Sequence, residues 1–138
     1  MNIESRVLGL NKLSAYIKEF LAKNSEYYNE NDVEFQQVLK KSEIENPWFT
    51  ADNQKFALTQ WSELLTQGNI NEWLQNYSPS KTTKKVGLIL AGNIPLVGLH
   101  DVISVILSNH VPLIMLSSND KTMLPFLLKK WSEFSEGT

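Results

Sequence analysis

The run Val86-Gly87-Leu88-Ile89-Leu90-Ala91 carries no polar side chain and leads straight into Gly92-Asn93-Ile94-Pro95. A short apolar run ending at glycine predicts a strand buried on both faces. Proline suits a first helical turn, where its missing N–H has no partner to lose. The turn is therefore expected to feed a helix over residues 95–107, apolar around most of its circumference. Val111-Pro112-Leu113-Ile114-Met115-Leu116 predicts a second strand. Its Pro112 belongs near an edge or at the strand start. Ser117-Ser118-Asn119-Asp120 supplies capping chemistry for a last helix over residues 121–134. The order strand, helix, strand, helix is the opening of a parallel α/β sheet with a right-handed crossover. Two strands do not complete such a sheet, so the chain reads as the front part of a longer protein. The helix over 95–107 is too apolar to face water, which predicts exposed apolar surface. A missing C-terminal part or a homo-oligomer is expected to cover it.

The first 80 residues follow a different period. Val7, Leu10, Leu13, Ile17, Phe20 and Leu21 recur at three- and four-residue spacing, predicting an amphipathic helix over residues 5–23. Asp32 is the expected N-cap of a short helix carrying Phe35, Val38 and Leu39, which Asn46-Pro47 breaks. Thr50 or Asp52 caps the next helix, which bears Phe56, Leu58, Trp61, Leu64 and Leu65. Gly68 is expected to end it, before a further short helix over residues 69–77. Ser78-Pro79-Ser80-Lys81-Thr82-Thr83 reads as a linker. Residues 1–80 are thus a helical segment of net charge −4, and residues 81–138 an incomplete α/β segment of net charge +2.

Composition removes several classes of function. With no cysteine, the chain has no disulfide, thiolate metal site or Cys nucleophile of its own. His100 and His110 are too few for an all-histidine metal site, and no metal is expected. A net charge of −2 argues against a nucleic-acid partner bound through phosphate neutralisation. The stretch over residues 86–107 is interrupted by glycine, proline, His100 and Asp101, so no membrane span is expected. The N-terminus lacks the apolar core of a signal peptide, which makes the cytoplasm the expected compartment.

The turn after the first expected strand is the most informative place for chemistry. Open α/β sheets bind ligands beyond the C-terminal ends of their strands. Gly92 lets a ligand approach the backbone, and Asn93 brings an amide donor; the same asparagine suits a plain helix cap. There is no G-x-G-x-x-G fingerprint. Ser117 and Ser118 follow the second strand at the same end of the sheet, as hydroxyls for a ribose or phosphate or as caps. His100, Ser104 and Ser108 form one polar stripe beside Asp101, expected to serve packing. His110 is expected to be solvated, and the four tryptophans to lie mostly in the core.

The run from Val86 to Gly98, followed by Leu116-Ser117-Ser118 and Leu124-Pro125, resembles the acyl-CoA reductases of bacteria. These are the luminescence fatty-acid reductases and their relatives, within the aldehyde dehydrogenase superfamily. Asn46-Pro47-Trp48-Phe49-Thr50 resembles their upstream part. The resemblance implies an α/β fold whose second segment opens an NADP-binding domain of aldehyde dehydrogenase type. It also implies NADPH-dependent reduction of a fatty acyl-CoA, or another acyl thioester, to an aldehyde. Asn93 matches the catalytic asparagine that donates to the developing oxyanion. Leu90, Ala91 and Gly92 would line the cofactor cleft, and Ser117 and Ser118 would lie near the adenosine ribose. Met115 stands where the family has a cofactor-contacting lysine, and the family's catalytic cysteine falls outside this chain. The competing class is a non-catalytic helical interaction or regulatory domain, favoured by the acidic helical half and the absent nucleophile.

Overall fold

The computed structural model describes residues 2–136, so Gly137 and Thr138 at the end of the α/β segment lie outside the described residues. The fold mixes helix and strand. Helices α1 (Ile3–Ala22), α2 (Glu30–Glu45), α3 (Ala51–Leu64) and α4 (Gln67–Leu74) precede strand β1 (Lys85–Ile89). Helix α5 (Leu99–Leu107), strand β2 (Val111–Met115) and helix α6 (Met123–Glu136) complete the order. Among the described residues no helix is long and apolar enough to cross a membrane.

The strands pair in parallel, Lys85 opposite Val111 and Ile89 opposite Met115. The Val111 N–H donates to the Lys84 carbonyl at 2.9 Å, and the Leu90 N–H to the Met115 carbonyl at 3.0 Å. Odd-numbered β2 residues therefore turn their peptide groups toward β1. The nitrogen of Pro112 faces the other way and costs no bond in this ladder.

Only one face of the sheet is covered. Val86, Leu88, Pro112 and Ile114 are half-buried, while Lys85, Gly87, Ile89, Val111, Leu113 and Met115 are exposed. Ile89 is 85% exposed and Met115 64%. The expectation of strands buried on both faces fails for this reason: helices lie on one side alone. The expected exposed apolar surface exists, but on the sheet. Helix α5 instead buries Leu99, Val102, Ile103 and Leu107.

One core crosses the junction between the two segments. Val7, Leu10, Leu13 and Ile17 of α1 join Leu58 of α3, Leu99 and Val102 of α5, and Leu124, Leu127 and Trp131 of α6. The Trp131 indole donates to the Arg6 carbonyl at 2.9 Å. Gly9 lets α1 and α6 meet closely, since a Cβ there would sit 2.1 Å from the Ser135 hydroxyl. One end of this same core is aromatic: Phe35 stacks against Phe20 at 4.4 Å and Tyr16 at 5.5 Å. Trp131 is buried in the core and Trp61 packs half-buried against it, while Trp48 and Trp73 are exposed.

Several helix ends differ from expectation. Asn29, not Asp32, caps α2; Asp32 is the reciprocal partner three residues on, in a full capping box. Thr50 caps α3 by accepting from the Asn53 N–H. Gly68 does not end α3, which stops at Leu64 with Leu65 as its C-cap; the glycine lies within the first turn of α4. His110 is only half-exposed, and its Nδ1 accepts from the Lys84 N–H at 3.0 Å.

Candidate functional site

The C-terminal ends of β1 and β2 lie side by side, and two loops rise from them. The β1 loop holds most of the expected site residues, and its course is not the expected one. Helix α5 begins at Leu99 behind an N-cap at Gly98, not at Pro95. Leu96 adopts a left-handed φ of 63° while fully buried. That conformation is costly for a side chain larger than glycine, and it breaks the helix that Pro95 would otherwise start. Asn93 is consequently an exposed loop residue, and no side chain caps α5. The expected positive helix end beside Gly92 is absent for the same reason.

The remaining expected residues divide by exposure. Leu90 is buried and presses against Gly98, where a Cβ would fall 2.7 Å from the leucine Cδ1. Ala91 is exposed. Gly92 is half-buried, and its missing side chain serves a protein contact: a Cβ there would meet the Ser117 Oγ at 2.4 Å. This brings Gly92 and Ser117 together. Ser117 is half-buried and accepts from the Asn119 N–H at 3.2 Å, closing its own turn. Helix α6 begins only at Met123, so the Ser117–Asp120 turn does not cap it as expected. Ser118 is exposed, as is Met115 at the end of β2.

The structure adds residues that the sequence showed only as punctuation. Asn46, the C-cap of α2, is 3% exposed. Its amide donates to the Gly92 carbonyl at 2.8 Å, and its Oδ1 accepts from the Trp48 N–H at 3.0 Å. A residue read as a helix breaker thus binds the helical segment to the β1 loop. Asp120 is buried beneath the same loops, and its Oδ1 makes no hydrogen bond. Burial, followed by the charge of Glu45, pushes its pKa up to about 6. Glu45 accepts from the Thr122 hydroxyl and lies 3.9 Å from the Lys121 ammonium. The sequence signal for this group was the polarity of Glu45-Asn46 just before a proline, which also fits an ordinary helix end.

Among the described residues no group of histidine, aspartate and glutamate side chains is placed to hold a metal ion. The polar stripe on α5 is internally bonded, Ser104 donating to the His100 carbonyl at 2.8 Å and Ser108 to the Ser104 carbonyl at 2.6 Å. No family model, curated protein or solved structure matches the chain.

Proposed function

We propose that this chain is the N-terminal part of an NADPH-dependent acyl-CoA reductase of aldehyde dehydrogenase type, acting on a fatty acyl-CoA or related acyl thioester. The observation that supports this most is the shared exposure of Asn93 and Ser118 above two parallel strand ends, where α/β sheets place their ligands. The exposed Ala91 edge and the Ser118 hydroxyl fit a nucleotide lying across these ends. Leu90 fits only as support beneath, and Met115 adds neither charge nor donor. The Gly92 carbonyl is already engaged by Asn46.

NADPH, when bound, supplies the hydride. Asn93 donates its amide N–H to the oxygen that gains charge as the acyl carbonyl becomes tetrahedral. A preorganised donor of this kind lowers a barrier by ~3 kcal/mol. The nucleophile that accepts the acyl group is a cysteine contributed outside these residues. Asn46 and Ser117 fix the loop that carries Asn93, one through the Gly92 carbonyl and one through close packing.

Joining the chain to its downstream coding sequence and assaying acyl-CoA-dependent NADPH oxidation tests the proposal. Aldehyde formation is the expected result; a downstream sequence without a cysteine-bearing domain would sink it. A second reading, a non-catalytic interaction domain, draws on the apolar sheet face of Ile89, Leu113 and Met115. An isolated chain that binds no NADPH but pulls a folded partner onto that face would favour it.

A further inference from the structure

Three pieces of chain meet beneath the strand-end loops. The C-terminus of α2 brings Glu45 and Asn46, the β1 loop brings Gly92, and the β2 loop brings Ser117, Asp120, Lys121 and Thr122. The joints between them are specific. Asn46 holds Gly92 at 2.8 Å, Gly92 packs on Ser117 and the Asp120 Cβ, and Thr122 donates to Glu45. The Asp120 N–H closes its turn on the Ser117 carbonyl at 3.0 Å. In the middle of this arrangement sits a carboxyl group that is 6% exposed and has one oxygen with no partner.

A buried carboxylate without full hydrogen bonding is unfavourable, and a second carboxylate nearby makes it worse. Glu45 is the charged group that acts on Asp120 from another element. Lys121, the neighbouring cation, leans on Glu45 and is itself largely exposed. The β1 loop offers only uncharged groups, Gly92 and Asn93, and the start of α6 offers Thr122 and Met123. Nothing cationic is buried against the orphaned oxygen, so a proton is the simplest means of removing its charge.

We infer that Asp120 and Glu45 form a proton-operated latch between α2 and the two strand-end loops, closed when Asp120 is neutral and loosened when it ionises. Ionisation adds a buried, incompletely hydrogen-bonded charge beside the Glu45 carboxylate. The relief open to the chain is to draw the β2 loop away from the end of α2 and admit water. That movement frees Gly92 from Ser117 and changes how Asn93 and Ser118 are presented. Burial and Glu45 place the transition near pH 6, inside the range that cells use. This inference concerns the seam itself and holds whether or not the chain is part of a reductase.

The test is amide hydrogen exchange of the 138-residue chain between pH 5 and pH 8, corrected for intrinsic exchange and read at Gly92, Asn93, Asn119 and Asp120. Protection should fall by about tenfold across a single titration centred near 6. In Asp120→Asn the protection should stay high and flat, and in Glu45→Gln the midpoint should move to lower pH. The carboxyl carbon resonance of Asp120 in the unaltered chain should titrate at the same midpoint, which keeps the test decisive if a variant does not fold. Flat protection in the unaltered chain, an Asp120 resonance that titrates near 4, or an unchanged transition in Asp120→Asn would each overturn the latch.

Discussion

The side-chain amide of Asn46 spans 2.8 Å to the carbonyl of Gly92, so the residue that caps the end of α2 carries the first turn after a strand forty-six positions away. The bond is part-buried, and Asn46 itself is almost fully covered. Asn46→Ala would leave the Gly92 carbonyl and the Trp48 N–H without their partners. Such orphaned groups cost ~1–3 kcal/mol each. Denaturant unfolding should show a loss of roughly 2–4 kcal/mol, allowing for partial rescue by water. A loss below about 0.5 kcal/mol would mean that solvent replaces the bond.

Gly92 faces the opposite constraint, too little space. Gly92→Ala drives a methyl group into the Ser117 side chain. The expected destabilisation is ~1–3 kcal/mol, typical of overpacking. Adding Ser117→Gly should recover most of it, because the obstructing atoms are those of the serine. Two losses that simply add would show that the alanine clashes elsewhere.

The dependence of stability on pH has two opposing parts. Asp120 is raised from 3.8 to about 6. Below 3.8 both folded and unfolded chains hold its proton; as pH rises from there the unfolded chain ionises first, and stability is lost until about 6. Asp120→Asn should therefore be the more stable protein at pH 7.5, by roughly 1–3 kcal/mol. Asp32 runs the other way. The Lys23 ammonium at 2.8 Å holds its carboxyl below the ordinary value against the cost of burial, helped by the Asn29 N–H. Its contribution is present above the unfolded value and lost as pH falls through the folded one. Asp32→Asn should cost ~1–2 kcal/mol at neutral pH, the worth of a charge-assisted capping bond. That difference should vanish in strong acid.

Tyr16 should titrate late. Its ring packs against Phe35 and Phe134, its hydroxyl is buried without a partner, and burial, with Asp32, Glu34 and Glu133, raises its pKa to about 12. Between 10 and 12 the unfolded chain ionises while the folded one does not, so stability falls with rising pH in that window. Tyr16→Phe removes the orphaned hydroxyl and keeps the stacked ring. It should be neutral or stabilising by up to ~1 kcal/mol in denaturant unfolding, and should abolish the late phase of an ultraviolet tyrosine titration.

The functional prediction applies to a reductase that carries this chain as its N-terminal part, as proposed. Asn93→Ala should lower turnover by ~100- to 1000-fold with little change in cofactor affinity, because the amide acts on charge present only in the transition state. Met115→Lys should tighten NADPH binding, less so at high salt, and leave turnover nearly unchanged. Intact turnover in Asn93→Ala would reduce Asn93 to a loop residue.

Periodicity made most of the elements legible. The spacing from Val7 to Leu21 and the two apolar runs place α1, β1 and β2 within a few residues of where they lie, and the parallel pairing follows from the helix between them. The start of α5 was hidden because Pro95 is compatible with a first helical turn, and only tertiary packing forces Leu96 into its left-handed state. Half-burial of the strands was hidden for another reason: an all-apolar run reads as buried on both faces whether or not a second layer is present. At the site, Gly92, Asn93, Ser117 and Ser118 were legible as loop residues at the strand ends. Asn46 and Asp120 were not, since their roles depend on the end of α2 reaching the strand-end loops, which no local pattern records.

Pro112 gives the sheet a polarity of growth. Its ring lies at the one position near the start of β2 where an N–H would point away from β1, so any strand arriving on that side meets a gap. The outer rim of β1 has no such gap, because Lys85, Gly87 and Ile89 all present their peptide groups there. A newcomer of unspecified register is thus steered to β1, and on β2 only a register that passes over Pro112 is accommodated. A single imino acid that costs the existing pair nothing sorts the two rims into an open one and a selective one.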